Sequence, residues 1–222
     1  MYLKKRMESI KKNLRNYCND TLELHRKATS LLSNFDEEKA AEVVEKAKEL
    51  DICGHEIERS CIRFIAMEQP LATDLMYIES SIRVISHVKR IAYLCRNIAE
   101  SAATIEGMKV SNKIMRDLEY MADYVQIMLT RGFGSFCNQD MNVARELASD
   151  DDKVDDLFDI ILSHTTELLT EKTQDALEIV NIIFIARYLE RIADRVVNIG
   201  ERVIFINTHK RPRIEKLKKE EQ

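Results

Sequence analysis

The chain has 222 residues, enough for one large domain or for two domains of about 100 residues each. Its five glycines and two prolines are too few for the many short turns of a sheet fold, so we expect an all-α protein built from long helices. The 34 basic and 38 acidic residues nearly balance, which argues against a general nucleic-acid binder and against a disordered polyelectrolyte.

Neither a membrane span nor an export signal is indicated. No stretch approaches 18 consecutive apolar residues, and the N-terminal MYLKKRMESIKKNL lacks the apolar run of a signal peptide. We therefore expect a cytoplasmic protein. The cysteines are odd in number and never form a CxxC pair, so we interpret them as reduced and predict neither a disulfide framework nor a zinc ribbon.

Six amphipathic helices are predicted in chain order. Asp36 caps the second, Pro70 lies in the first turn of the third and Gly107 closes it, while Gly132 and Gly134 weaken the last turns of the fourth. The predicted ranges are 1–32, 37–67, 70–106, 111–137, 138–169 and 175–207. Several of these helices have about 30 residues and would be about 45 Å long.

The helices repeat as a set of three. Asn97 and Glu100 in the third helix match Asn198 and Glu201 in the sixth, at a constant offset of 101 residues. This predicts two tandem, duplicated three-helix bundles, with antiparallel helices, over residues 1–107 and 108–208, followed by a basic tail over 209–222.

Two helices carry acids on apolar faces. In the sixth helix, Ile183 and Ala186 share a face with Glu190 and Asp194; in the fifth, Ala144, Ala148, Phe158 and Leu162 share one with Asp151 and Asp155. A lone buried carboxylate is costly, so the two pairs on neighbouring helices indicate a shared cation.

The counter-charge has two candidate sources. A metal site with only oxygen ligands suits iron(III), manganese, magnesium or calcium better than it suits structural zinc. The alternative is pairing with Arg187, Arg191 or Arg195, which would leave a helical interaction module without metal.

Three segments resemble the PhoU family. LERIADRVVNIGE at 189–201 is similar to the signature LERIGDxxxNIxE, QPLATDLM at 69–76 to QPxAxDLR, and DDKVD at 151–155 to DxxVD. The resemblance implies a non-enzymatic phosphate-signalling protein of two three-helix bundles that carries metal clusters. It also implies an accessory role beside the Pst transporter ATPase and negative control of the phosphate-starvation response through a sensor histidine kinase.

The ligand set that the resemblance implies is confined to the second half. Lys89 and Tyr93 replace the signature acids in the first half, and Ala47 replaces the acid before Asp51, so we expect Lys89 to pair with Asp51 and this half to bind no metal. The implied metal ligands are Asp151, Asp155, Glu190 and Asp194, with Asn198 and Glu201 as supporting or bridging groups. An iron cluster is one possible occupant, and zinc, manganese and magnesium remain open.

Further expectations concern partners and rival functions. The duplicated halves favour a homodimer, or a complex spanning two copies of the transporter ATPase, with membrane association only through partners and no nucleic acid bound. A metal-dependent enzyme using the carboxylate cluster is the alternative of another class. The sequence has no P-loop or GxGxxG motif and no Glu-x-x-His pair of the ferritin-like type, which weighs against nucleotide and di-iron chemistry.

Overall fold

The computed structural model describes residues 2–105, 112–171 and 176–210, and this part of the chain contains helices and no strand. The helices are α1 Tyr2–Ser33, α2 Glu37–Glu68, α3 Ala72–Thr104, α4 Asn112–Asn138, α5 Met141–Glu171 and α6 Ala176–Thr208. The all-α prediction is confirmed. None of the described helices is long and apolar enough to cross a membrane.

The cap of α2 agrees with the prediction, because the Asp36 carboxylate accepts the Lys39 backbone N–H at 3.0 Å. The predicted start of α3 is wrong. Gln69 closes α2 in a left-handed conformation, its N–H bonded to the Ile65 carbonyl, and α3 begins only after the extended Leu71. Pro70 therefore lies in the link between the helices.

The boundary between α4 and α5 also differs from the prediction. α4 continues to Asn138, Gln139 adopts a positive φ of 55°, and the Asp140 carboxylate accepts the backbone N–H groups of Asn142 and Val143. Asp140 therefore caps the start of α5, where we expected Asn138. The predicted stop at Gly107, the 107/108 domain boundary, the start at Asp175 and most of the basic tail lie outside the described residues.

The glycines of α4 do not interrupt its last turns. The helix runs unbroken through Gly132 and Gly134, and a Cβ at Gly132 would lie directly against Cγ1 of Val196 on α6. Gly200 of α6 is similarly close to α5, where an added Cβ would be 3.0 Å from the Ala144 carbonyl oxygen. These two glycines allow close helix packing, whereas Gly134 faces open space.

The helices form two sets of three joined by a shared core. Within each set every helix contacts the other two, and between the sets α1 contacts α4 and α3 contacts α6. α1, α3, α6 and α4 thus form a ring of four contacting helices around one continuous cluster of buried side chains. α2 and α5 lie outside this ring, so the carboxylates that α5 carries border an outer groove against α6.

Two of the cysteines are neighbours in space. The Cys18 thiol of α1 is hydrogen-bonded to Cys137 of α4, and this bond lowers the pKa of Cys137 to about 7, with Arg15 acting in the same direction. All five cysteines are free thiols. The proximity of Cys18 and Cys137 could not be predicted from the sequence, because the two residues are 119 positions apart and belong to no common motif.

Candidate functional site

The buried stripe of α5 is displaced by one residue from the predicted one. Leu147, Asp150 and Val154 point into the core, whereas Asp151 is half-buried and Asp155 is exposed. The prediction that Asp151 and Asp155 lie on the apolar stripe is therefore wrong. They lie beside it, since one residue turns a helix by about 100°.

Asp150 is the acid that sequence reasoning missed. Only 6% of this residue is exposed. Its carboxylate accepts a hydrogen bond from the Tyr124 hydroxyl at 3.0 Å and forms an ion pair with Arg131, and both partners are on α4. Its spacing from Leu147 and Val154 is the signal that could have found it. Because its partners are on α4, Asp150 holds α5 in place and does not face α6.

On α6 the predicted anomaly is present. The Glu190 side chain is 16% exposed and pairs with Arg187, which lies one turn earlier. Burial raises its pKa, Arg187 opposes this, and the negative charges of Asp194 and Asp155 raise it further. The structure therefore brings Asp155 and Asp194 close enough to Glu190 for each to repel its carboxylate.

The supporting residues occupy different positions. The Asn198 side-chain amide donates to the backbone carbonyl of Asp194 at 2.6 Å, so its N–H is already engaged. Glu201 lies two turns beyond Asp194, about 10 Å along the helix axis. Burial raises the pKa of Glu201, and Arg202 opposes it.

The donor chemistry of this groove fits a hard cation, because Asp155, Glu190 and Asp194 all offer carboxylate oxygens. The donors are not arranged for metal coordination: among the described residues, no three His, Cys, Asp or Glu side chains lie close enough together to hold a metal ion. In this arrangement Arg187 provides the counter-charge to Glu190, as the second of the two interpretations predicts.

The corresponding position in the first half has opposite chemistry. Lys89 Nζ lies 3.4 Å from Asp51 Oδ1 and 2.9 Å from His55 Nε2, so the predicted Lys89–Asp51 pair is present. The side chains are 20% and 56% exposed, respectively, so the pair is half-buried at most. A cleft of about 400 Å³ adjoins it, lined by Ala47, Lys48, Asp51, Ile52, Lys89, Tyr93 and Arg96.

Comparison with known proteins identifies relatives along most of the chain. The family model described as PhoU domain matches residues 14–102 and again 118–203. A protein of Methanothermobacter thermautotrophicus named phosphate-specific transport system accessory protein PhoU homolog 1 is 43% identical, over 94% of this chain and 95% of its own. A PhoU homologue of the same description from Clostridium acetobutylicum is 28% identical, over 81% and 82%.

Solved structures show the same fold. The crystal structure of PhoU from Pseudomonas aeruginosa superposes with a TM-score of 0.88 at 24% identity, covering 93% of this chain and 99% of its own. The phosphate transport system regulatory protein PhoU from Streptococcus pneumoniae gives 0.87 at 21% identity, over 95% and 99%. With the two family matches covering most of the sequence, the chain belongs to the PhoU family.

Proposed function

We propose that this protein is a non-enzymatic accessory regulator of phosphate uptake that acts by contact with the ATPase of a phosphate transporter. The observation that carries the proposal is the 43% identity, over nearly the full length of both chains, to a protein named as an accessory of phosphate-specific transport. The six-helix architecture supports it, because two duplicated halves offer two similar outer faces to partners.

We further propose that the groove between α5 and α6 binds a metal ion through oxygen ligands. Asp155 and Asp194 each repel Glu190 there, and that repulsion is relieved when a cation binds. Asp151, one turn before Asp155, would complete the set. Bound metal would supply the positive charge that Arg187 supplies in its absence, and would tie the outer helix α5 to the central ring.

The metal proposal is tested by the metal content of protein purified from cells and by titration after mild chelation. We expect Asp155→Asn and Asp194→Asn each to lose most of the metal. Asp159→Asn, an exposed aspartate one turn further along α5, and Asp51→Asn in the first half are the matched controls and should retain it. Equal metal in all four variants would exclude the groove as the site.

The proposed regulation is negative, exerted in the cytoplasm by a homodimer that also contacts a phosphate-sensing histidine kinase. Deleting the gene should then raise expression of phosphate-starvation genes in phosphate-replete cells, and a tagged copy should co-purify with the transporter ATPase. The Asp155→Asn, Asp194→Asn double variant should fail to restore repression. Unchanged uptake and unchanged starvation-gene expression in the deletion strain would contradict the regulatory role.

A further inference from the structure

Three arginines converge on one end of the seam between α3 and α6. Arg195 and Arg202 of α6 and Arg83 of α3 lie close enough to His87 for their charges to lower its pKa. Glu79 is the acid that pairs with them: its Oε1 lies 3.1 Å from Nε of Arg83, and its Oε2 lies 3.8 Å from Nη1 of Arg202. The carboxylate of Glu201 also interacts with Arg202, so three guanidinium groups stand against two carboxylates and the cluster carries a net charge of about +1 at neutral pH.

The positive charge in this cluster is not balanced by neighbouring groups. In the described part of the chain, Arg195 has no carboxylate within ion-pair distance, and both its Nε and Nη1 of Arg202 are buried without a hydrogen-bond acceptor. The Arg202 side chain is only 19% exposed. A buried donor without a partner is destabilising, and more so when it is charged. Oε2 of Glu79, 3.8 Å from Nη1 of Arg202, is also buried without a hydrogen-bond partner, so Arg195 is the guanidinium of this seam that lacks a negatively charged acceptor.

The cluster is also not a by-product of the duplication. At the offset of 101 residues, His87 corresponds to Tyr188 and Arg83 to Phe184, and these two rings stack with centroids 6.3 Å apart. Arg195 corresponds to the buried Leu94. The equivalent end of the seam is therefore largely apolar, and the arginines are specific to this end.

We propose that Arg83, Arg195 and Arg202, together with His87, bind a tetrahedral oxyanion, either free phosphate or sulfate or the phosphate group of an ester. Arginine presents planar N–H donors that match such oxygens in bidentate pairs, and the net positive charge of the cluster favours an anion. The anion would bridge α3 and α6 and so join the two halves. The inference is independent of the acidic groove and of the proposed function.

Two opposite variants test the site by calorimetric titration of the full chain with inorganic phosphate. We expect saturable binding with one phosphate per chain, weakened about tenfold or more in Arg195→Gln and in the exposed Arg83→Gln. Glu79→Gln should tighten binding, because it removes a carboxylate that competes with the anion for Arg83 and Arg202. Arg145→Gln, an exposed arginine of α5, is the matched control and should bind as the wild type does.

Histidine NMR gives a second readout. Burial, together with the charges of Arg195, Arg202 and Arg83, lowers the pKa of His87 to about 4. A bound anion offsets those charges, so phosphate should raise the pKa of His87, and the imidazole resonances of the exposed His209 should not respond to phosphate. This shift reports anion at the seam even if one variant folds poorly.

Separate titrations with sulfate and with adenosine monophosphate distinguish the sources of the anion. Binding of phosphate and sulfate alone assigns the site to a free oxyanion, and equal binding of the nucleotide assigns it to the phosphate group of esters. Absence of saturable binding by all three would overturn the proposal. So would equal affinities in the wild type and both arginine variants, or weaker binding in Glu79→Gln.

Discussion

Replacing each of two glycines that lie two residues apart on α4 should change stability in opposite directions. In Gly132→Ala the new methyl group would overlap Cγ1 of Val196, with Val196 Cβ next at 3.6 Å and Leu147 Cδ1 at 3.8 Å. Forcing one extra carbon into a packed core costs about 1–3 kcal/mol. Alanine returns about 1 kcal/mol of helix propensity. The net expectation is a loss of up to about 2 kcal/mol in the free energy of unfolding.

Gly134→Ala is the matched control, since nothing lies within 4 Å of its added Cβ. It keeps the propensity gain without the overlap, so we expect stabilisation of up to about 1 kcal/mol. Both variants are first treated with chelator and then unfolded in urea, with the unfolding monitored by circular dichroism. This gives the free energies of unfolding of the two variants on one scale. If both variants were stabilised equally, the close approach of α4 and α6 at Gly132 would be refuted.

Three further predictions concern charged and thiol groups. Lys89→Met should lower the free energy of unfolding by about 1 kcal/mol, because its ion pair with Asp51 is half-exposed, and added metal should not restore this loss. Lys48→Met is the control: its ion pair with Glu45 is exposed, so the loss in the same urea titration should be about 0.3 kcal/mol or less. Cys137 should be the cysteine that iodoacetamide modifies fastest, with the rate rising through about pH 7; labelling dominated by another cysteine contradicts this. Glu190→Gln should stabilise the chelated protein at pH 7. The pKa of Glu190 is raised in the folded state, so the wild type loses stability as the pH rises above about 4.5 and the variant does not. The gain should vanish in acid, and a gain independent of pH would rule out the titration of Glu190 as its cause.

The helices and their grouping could be predicted because the signals are local. Few glycines and prolines leave long helices, and Asp36 has a side chain that caps its own helix. Pro70 was misplaced because two positive-φ residues around it, Gln69 and Ala72, set the turn, and neither is a glycine that would announce such a conformation. The start of α5 was placed at Asn138, two residues before the Asp140 cap, because neither Gly nor Pro marks the link between α4 and α5.

The faces of α5 and α6 could not be predicted fully because other helices decide them. The run Asp150, Asp151, Asp152 allows more than one helical register, and Tyr124 and Arg131 of α4 select Asp150 for burial. Read along one helix, Arg195 is a counter-ion for its acidic neighbours. In the structure it faces the cluster around His87 on α3, a contact that sequence spacing does not encode.

The asymmetry between the halves is tested most directly by hydrogen exchange on protein as purified and after chelation. If a cation joins α5 to α6 and Lys89 takes its place in the first half, chelation should speed amide exchange in α5 and α6 and leave α2 and α3 unchanged. Equal acceleration in α2 and α3 would show that the first half also holds metal, and unchanged exchange throughout would contradict a metal ion in the groove.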